Sequence, residues 1–193
     1  DVALIDPETT VTMDRQLSAY TGMDAMTHAI EAFVSNASSS ITDIHALKAI
    51  GLVHKFLPKV VENPNCIESR EKMMFASMQA GLAFSNAILG AVHAMAHSLG
   101  GFKDLPHGMC NSMLLEHVID FNYDSAVEKY DAISKELLLN IRGLSLIEKK
   151  KILVNKIIEF KKQIGITCKL GSVGIQLSDI PELSKKAIND PCI

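Results

Sequence analysis

Thirty consecutive residues between Lys72 and Lys103 carry no formal charge, and this uncharged stretch limits the possible folds more than any other feature. A run of that length can span a lipid bilayer as a helix. However, polar side chains and two glycines, Gly81 and Gly90, interrupt it at short intervals. We therefore predict two helices that are buried in a protein core, with membrane insertion as the weaker alternative.

Apolar residues recur at helical spacing through almost all of the chain after residue 10. This spacing predicts helices at 14–34, 42–58, 68–86, 91–99, 110–121, 125–139 and 145–164, and a last helix that starts at 178–179. The short apolar run at 2–5 is interpreted as the end of a strand. The predicted fold is therefore all-α, a helical bundle.

The composition gives no reason to expect nucleic acid or an anionic membrane as a partner. Of the 193 residues, 48% are hydrophobic and 21% are charged, which suits a domain with a substantial core. The net charge of -3 and the lack of a basic run with interleaved aromatics argue against nucleic acid or an anionic membrane as a partner. The four cysteines lie far apart and form no CxxC pair, a usage typical of a reducing compartment. We expect a cytoplasmic protein.

Three histidines, His93, His97 and His107, lie in the segment GAVHAMAHSLGGFKDLPHGMC. On a helix, His93 and His97 would lie one turn apart on the same face. Asp24 and His28, in TGMDAMTHAIEAF, have the same spacing on another helix. A carboxylate and three or four imidazoles from three segments can therefore converge on a metal ion. Such ligands suit iron(II), zinc, cobalt, nickel or manganese.

Other interpretations stay open on the residues alone. Thr21 and Asp24 have the spacing of a helix capping box, and a histidine on an apolar helix is often a hydrogen-bonded core residue. A helical metal-dependent phosphohydrolase would carry an adjacent His-Asp pair, and a di-iron carboxylate protein would carry ExxH pairs, but neither pattern occurs. A non-catalytic helical fragment is the remaining alternative. We interpret His45, His54 and His117 as structural or surface residues.

TGMDAMTHAIEAF and GAVHAMAHSLGGFKDLPHGMC together resemble the paired signature of the iron-containing (group III) alcohol dehydrogenases. The resemblance extends from DPETTVTM to NDPCI. In that family an N-terminal α/β domain binds NAD(P), and a helical C-terminal domain carries the metal. The resemblance implies that residues 1–12 end the interdomain connection and that 13–193 form the helical metal-binding domain. Both ends of the chain are expected to be cuts through a longer protein, whose cofactor domain is missing here.

The same resemblance implies four metal ligands: Asp24, His28, His93 and His107. The metal would be Fe²⁺, with Zn²⁺ as an alternative occupant. His97 would lie beside the nicotinamide and the substrate and help to move protons, and Phe84 and Cys192 would line the substrate pocket. The implied reaction interconverts primary alcohols or diols and aldehydes by hydride transfer, with NAD or NADP bound mainly by the missing domain. We further expect a small alcohol or aldehyde as the substrate, and a homo-oligomer.

Overall fold

The computed structural model describes residues 2–193, and the regular structure in that range is helical. Its eight α-helices are α1 (Arg15–Val34), α2 (Ser40–Glu62), α3 (Ile67–Ala87), α4 (Ala91–Lys103), α5 (His107–Asn122), α6 (Val127–Glu136), α7 (Leu146–Gln163) and α8 (Ile180–Ile188). Short 3-10 segments lie at Pro7–Thr10, Tyr123–Ser125, Leu170–Val173 and Leu177–Asp179. The prediction of an all-α bundle is confirmed.

The first long helix, α1, is central because α2, α3 and α5 all pack against it. Asp14 caps its start by accepting a hydrogen bond from the backbone N–H of Leu17 at 2.7 Å. Small buried residues such as Ala25 and Ala29 let the neighbouring helices approach closely. As a result, most of the circumference of α1 is buried, and several of its polar side chains face protein rather than solvent.

The second helix continues beyond its predicted end at Pro58 and reaches Glu62. A proline inside a helix removes one backbone hydrogen bond, here the one to the carbonyl of His54. Leu57 and Val60 are almost completely buried on either side of the proline. Their burial stabilises the last turn of α2, so that the proline does not end the helix.

The two helices predicted for the uncharged stretch are α3 and α4, which meet at a sharp bend of 104°. Ile88 ends α3 with a positive φ of 63°, and Gly90 precedes α4. Among the described residues, no single helix is long and apolar enough to cross a membrane, although this bent pair meets the length and composition criteria when taken together. The bend brings the start of α4 against Glu31 of α1, which accepts the N–H of Val92 at 2.7 Å.

Both α4 and α5 are longer at their shared turn than the sequence predicts. The predicted break covers 100–109, but α4 runs to Lys103 and α5 begins at His107. Asp104 ends α4 in the left-handed conformation, and Pro106, whose fixed φ suits the entry to a helix, precedes α5. The short turn therefore brings His107 back towards α1.

Two other expectations differ from the structure. Residues 2–5, predicted as the end of a strand, are irregular, and Val2 and Leu4 are almost fully exposed. A strand needs a neighbour for its backbone hydrogen bonds, and residues 2–193 contain no other strand. The helix predicted at 125–139 is shorter, because a 3-10 turn precedes α6 and Leu138 follows it with a positive φ.

The last helix, α8, packs mainly on α4. Ser98 of α4 donates a hydrogen bond from its hydroxyl to the carbonyl of Leu183 at 2.9 Å. On the other side of the bundle, a buried ion pair between Lys161 and Glu116 joins α7 to α5. The attachment of α8 brings the C-terminal residues beside the histidines of α4.

We expect Gly108→Ala to destabilise the chain by about 1–3 kcal/mol, because a Cβ there would lie 2.2 Å from the backbone oxygen of Tyr20. The backbone of α1 cannot turn aside as a flexible side chain can. Gly81→Ala is the matched control, because a methyl group at that helical position meets no atom within 4 Å. Urea unfolding measures both variants, and equal stabilities would contradict the close approach of α5 to α1.

Candidate metal centre

Three ionisable side chains of α1 share one side of the helix: Asp24, His28 and Glu31. They are separated by four and three residues, so that they succeed one another along the same helical face. The side chains of Asp24 and His28 are only about one fifth exposed, and Glu31 is buried. This face of α1 is the base on which the rest of the site is built.

Two further histidines reach this face from α4 and α5. Nε2 of His93 lies 3.5 Å from Oδ1 of Asp24, and Nε2 of His107 lies 3.3 Å from the same oxygen. The rings of His28 and His93 have centroids 4.3 Å apart. One ligand atom from each of these four residues lies within 4.8 Å of the others. The structure therefore brings together all four residues that the resemblance implies as ligands, and their binding of a metal stays a prediction.

The side chain of Asn111 tests whether this cluster fits a cation. Asn111 is completely buried, and its Nδ2 donates to Oδ1 of Asp24 at 2.6 Å. The same nitrogen lies 3.1 Å from Nε2 of His93 and 3.0 Å from Nε2 of His107. An amide nitrogen has two protons, so it cannot donate to all three atoms at once. Two imidazole nitrogens and one carboxylate oxygen thus converge on one buried point, and a divalent cation with nitrogen and oxygen ligands fits this donor set.

The charges of the cluster also suit a cation. Burial lowers the pKa of His28 to about 4 despite the attraction of Asp24, so that its ring is neutral near pH 7. Burial acts to raise the pKa of Asp24, but hydrogen bonds with His107 and His93 outweigh it and hold that pKa well below its usual range. A neutral imidazole and an ionised carboxylate are the forms that bind metal ions.

His93 differs from His28 in its protonation. Burial acts to lower the pKa of His93, but hydrogen bonds with Asp24 and Glu31 raise it to about 9. Without a metal, the ring therefore carries a second proton near pH 7. A metal ion at this position must displace that proton.

His97 lies one turn after His93 but at the edge of the cluster. Its side chain is 42% exposed, as is that of His107, whereas that of His93 is 1% exposed. Its Nδ1 donates to Oδ2 of Asp190 at 2.9 Å, and its ring stacks on His107 with centroids 5.3 Å apart. The structure therefore places His97 next to the four clustered residues, between them and the C-terminal segment.

The two residues expected in the substrate pocket lie on different sides of the cluster. Phe84 stacks on His28 with ring centroids 4.6 Å apart. Cys192 lies beside His97 and Asp190, close enough for the three side chains to form a second group of potential ligands. Burial and the neighbouring Asp190 raise the pKa of the Cys192 thiol to about 12, so that it is not a thiolate. Because the thiolate is the form that binds metals, this second group is the poorer metal site.

The other three histidines lie away from the cluster. Nδ1 of His45 is hydrogen-bonded to Gln79 at 2.6 Å, and His54 lies against the ring of Phe160. The side chain of His117 is 75% exposed. These positions agree with the interpretation of the three residues as structural or surface side chains.

Sequence reasoning missed three polar residues of the site. Glu31 lies three residues after His28 and Asn111 lies four after His107, so helical spacing contained a signal for both. Asp190 had no such signal, because it lies 93 residues from its partner and reaches it only through the packing of α8.

The capping-box interpretation of Thr21 and Asp24 is wrong. Both residues lie in the interior of α1, whose N-cap is Asp14. The hydroxyl of Thr21 donates to the carbonyl of Leu17 at 2.9 Å and does not meet a free N–H at a helix start. Asp24 is therefore available to the cluster.

Comparisons with known proteins identify the family of this chain. Residues 18–193 match the model of the Fe-containing alcohol dehydrogenase family, C-terminal. The NAD-dependent methanol dehydrogenase of Bacillus methanolicus is 39% identical over 191 residues, which are 99% of this chain and 50% of that protein. The 1,3-propanediol dehydrogenase of Klebsiella pneumoniae is 39% identical over 98% of this chain and 49% of its own length. A crystal structure of a 1,3-propanediol oxidoreductase superposes with a TM-score of 0.94 and 39% identity, over 97% of this chain and 49% of the other.

The chain therefore spans about half the length of the curated relatives that it matches. The match to the family model extends over nearly the whole chain, and the helical fold agrees with that of the solved relative. On this evidence the chain belongs to the Fe-containing alcohol dehydrogenase family and corresponds to its C-terminal, helical domain.

Proposed function

We propose that this chain is the metal-binding half of an NAD(P)-dependent alcohol dehydrogenase that interconverts primary alcohols or diols and aldehydes. The observation that carries this proposal is the convergence of Asp24, His28, His93 and His107 within 4.8 Å on the inner face of α1. The names of the methanol and 1,3-propanediol dehydrogenases support a small alcohol as the substrate. A second domain of the whole protein would bind NAD or NADP. The family match favours this function over a helical phosphohydrolase.

One carboxylate oxygen and three imidazole nitrogens suit Fe²⁺, the metal in the family's name, and they also suit Zn²⁺. When bound, such an ion acts as a Lewis acid that polarises the alcohol or aldehyde oxygen. The four side chains would hold the ion at the junction of α1, α4 and α5. Phe84 stacks on His28 and would shield one side of the site from water, which would protect hydride transfer from competing reactions.

His97 would handle the proton that the alcohol loses. Because its Nδ1 donates to Asp190, its Nε2 carries a lone pair that can accept a proton. The side chain is partly exposed, so that a proton taken from the substrate side has a path to solvent. Cys192, beside His97, would contact the substrate.

Metal titration of single variants tests these assignments. Loss of a ligand's hydrogen-bond partner typically weakens metal binding by about 10–100-fold. We expect His107→Ala, which removes a ligand itself, to weaken Zn²⁺ binding by more than that. His97→Ala removes the imidazole that stacks on His107 at the edge of the cluster, and it is the matched control, for which nearly unchanged affinity is expected. If the His97 variant lost the ion while the His107 variant kept it, the ligand assignment would be wrong.

The protonation of His93 leads to a second test. We expect metal binding at about pH 7.5 to release about one proton, because His93 must lose the proton that its raised pKa retains. Apparent affinity should therefore rise with pH and level off above a pH of about 9. Calorimetry in buffers of different ionisation enthalpy measures the released proton. A heat that is independent of the buffer would contradict this account.

The need for a second domain leads to a third test. We expect the 193-residue chain by itself to show little or no NAD(P)-linked alcohol oxidation. Holding hydride donor and acceptor at reacting distance can contribute about 7–11 kcal/mol, and this chain would supply only one of the two partners. Absorbance at the reduced-nicotinamide band follows the reaction with metal-loaded chain. Robust turnover would show that the chain needs no separate cofactor domain.

A further inference from the structure

Glu31 has a buried carboxylate that contacts the start of α4. Its Oε1 accepts the backbone N–H of Val92 at 2.7 Å. Its Oε2 accepts Nδ1–H of His93 at 2.5 Å and, more weakly, the backbone N–H of the same residue at 3.4 Å. Only 4% of Glu31 is exposed, and within residues 2–193 no lysine or arginine forms an ion pair with it. In the described residues, this carboxylate is therefore stabilised by the start of α4 and by the imidazole of His93.

The neighbours of this carboxylate hold it in one position. A buried carboxylate is costly unless hydrogen bonds compensate for the lost water, and the first N–H groups of a helix supply both donors and a partial positive charge. Gly90 leaves room for it, because a Cβ at that residue would lie 3.0 Å from Oε1 of Glu31. Glu31 is thus fixed from two directions, by the helix start and by the side chain of His93.

We propose that Glu31 is a positioning residue that orients His93 for metal binding and sets the affinity of the centre. This inference rests on the metal centre of the proposed function. A histidine that presents Nε2 to a metal must carry its remaining proton on Nδ1, and an acceptor at Nδ1 holds both that tautomer and the angle of the ring. Oε2 of Glu31 is such an acceptor.

The contact distinguishes His93 from the other two histidines of the cluster. Within residues 2–193, Asp24 is the only carboxylate that lies within 4.0 Å of a ring nitrogen of His28 or His107. Asp24 is itself one of the four clustered residues, whereas Glu31 stands outside the cluster. The orienting carboxylate therefore acts on one ligand, and its loss should weaken the centre without removing a ligand.

Zinc competition titration of the Glu31→Gln chain against a chelator tests the proposal. Glutamine keeps the size of the side chain, but its neutral amide is a weaker acceptor for the imidazole N–H. We expect wild type to bind one equivalent of Zn²⁺ and the variant to bind it about 10–100-fold more weakly. Glu116→Gln is the matched control, because Glu116 is also buried but pairs with Lys161 of α7. Its Zn²⁺ affinity should equal that of wild type.

A second variant, Gly90→Ala, keeps Glu31 but adds a methyl group in close steric contact with its carboxylate. The backbone of Gly90 is extended, so alanine acts there only through its Cβ. We expect weaker Zn²⁺ binding from this variant also, so the proposal stays testable even if Glu31→Gln fails to fold. Nitrogen-15 chemical shifts of the His93 ring in the zinc-loaded chain give an independent readout, with Nδ1 protonated in wild type and a broadened or mixed tautomer in Glu31→Gln.

The outcomes separate this inference from the proposed function. If wild type binds Zn²⁺ and folded Glu31→Gln and Gly90→Ala chains bind it equally well, the role of Glu31 is overturned and the metal centre stands. A similar loss of affinity in Glu116→Gln would also overturn it, because the effect would then reflect any buried glutamate. If wild type binds no Zn²⁺ or Fe²⁺, the metal centre fails and the role of Glu31 fails with it.

Discussion

The burial of ionisable side chains on α1 is the constraint on which the rest of the site depends. A carboxylate in apolar surroundings is stable only when neighbouring groups replace the hydrogen bonds of water. Asp24 obtains them from Asn111 and from the rings of α4 and α5, and Glu31 obtains them from the start of α4. The fold must therefore bring the first turns of both helices against α1. Ile88 and Asp104, which end α3 and α4 with positive φ, make the necessary sharp turns.

The all-α class followed from the sequence because apolar spacing is a property of each segment by itself. The helix boundaries were less predictable, because local signals compete with burial that depends on distant residues. Pro58 is a stop signal, yet α2 passes through it because Leu57 and Val60 are packed in the core. The helix predicted to end at residue 99 continues through two glycines to Lys103. In each case tertiary contacts outweighed a local preference of a few kcal/mol or less.

The site was predictable only in part, and the reason is again the range of the interactions. The spacing of Asp24 and His28 within one helix showed that they share a face, and the structure places them side by side. Spacing could not show that α5 returns to α1, so His107 entered the ligand set through the family resemblance alone. The contact of His97 with Asp190 depends on how α8 lies on α4, which no local pattern records.

His93 and His97 show why spacing alone cannot assign roles within such a site. They lie one turn apart on the same helix, and a pattern of residues treats them as equivalent. Their surroundings are not equivalent, because His93 faces α1 and is buried between Asp24 and Glu31, whereas His97 faces Asp190 in the C-terminal segment and is partly exposed. Burial between Asp24 and Glu31 holds the ring of His93 at a fixed angle, which suits a metal ligand, and a group that exchanges protons needs contact with solvent. On α4, one helical turn is enough to separate these two environments. Histidine can therefore act as a metal ligand at one position and as a proton carrier at the next turn.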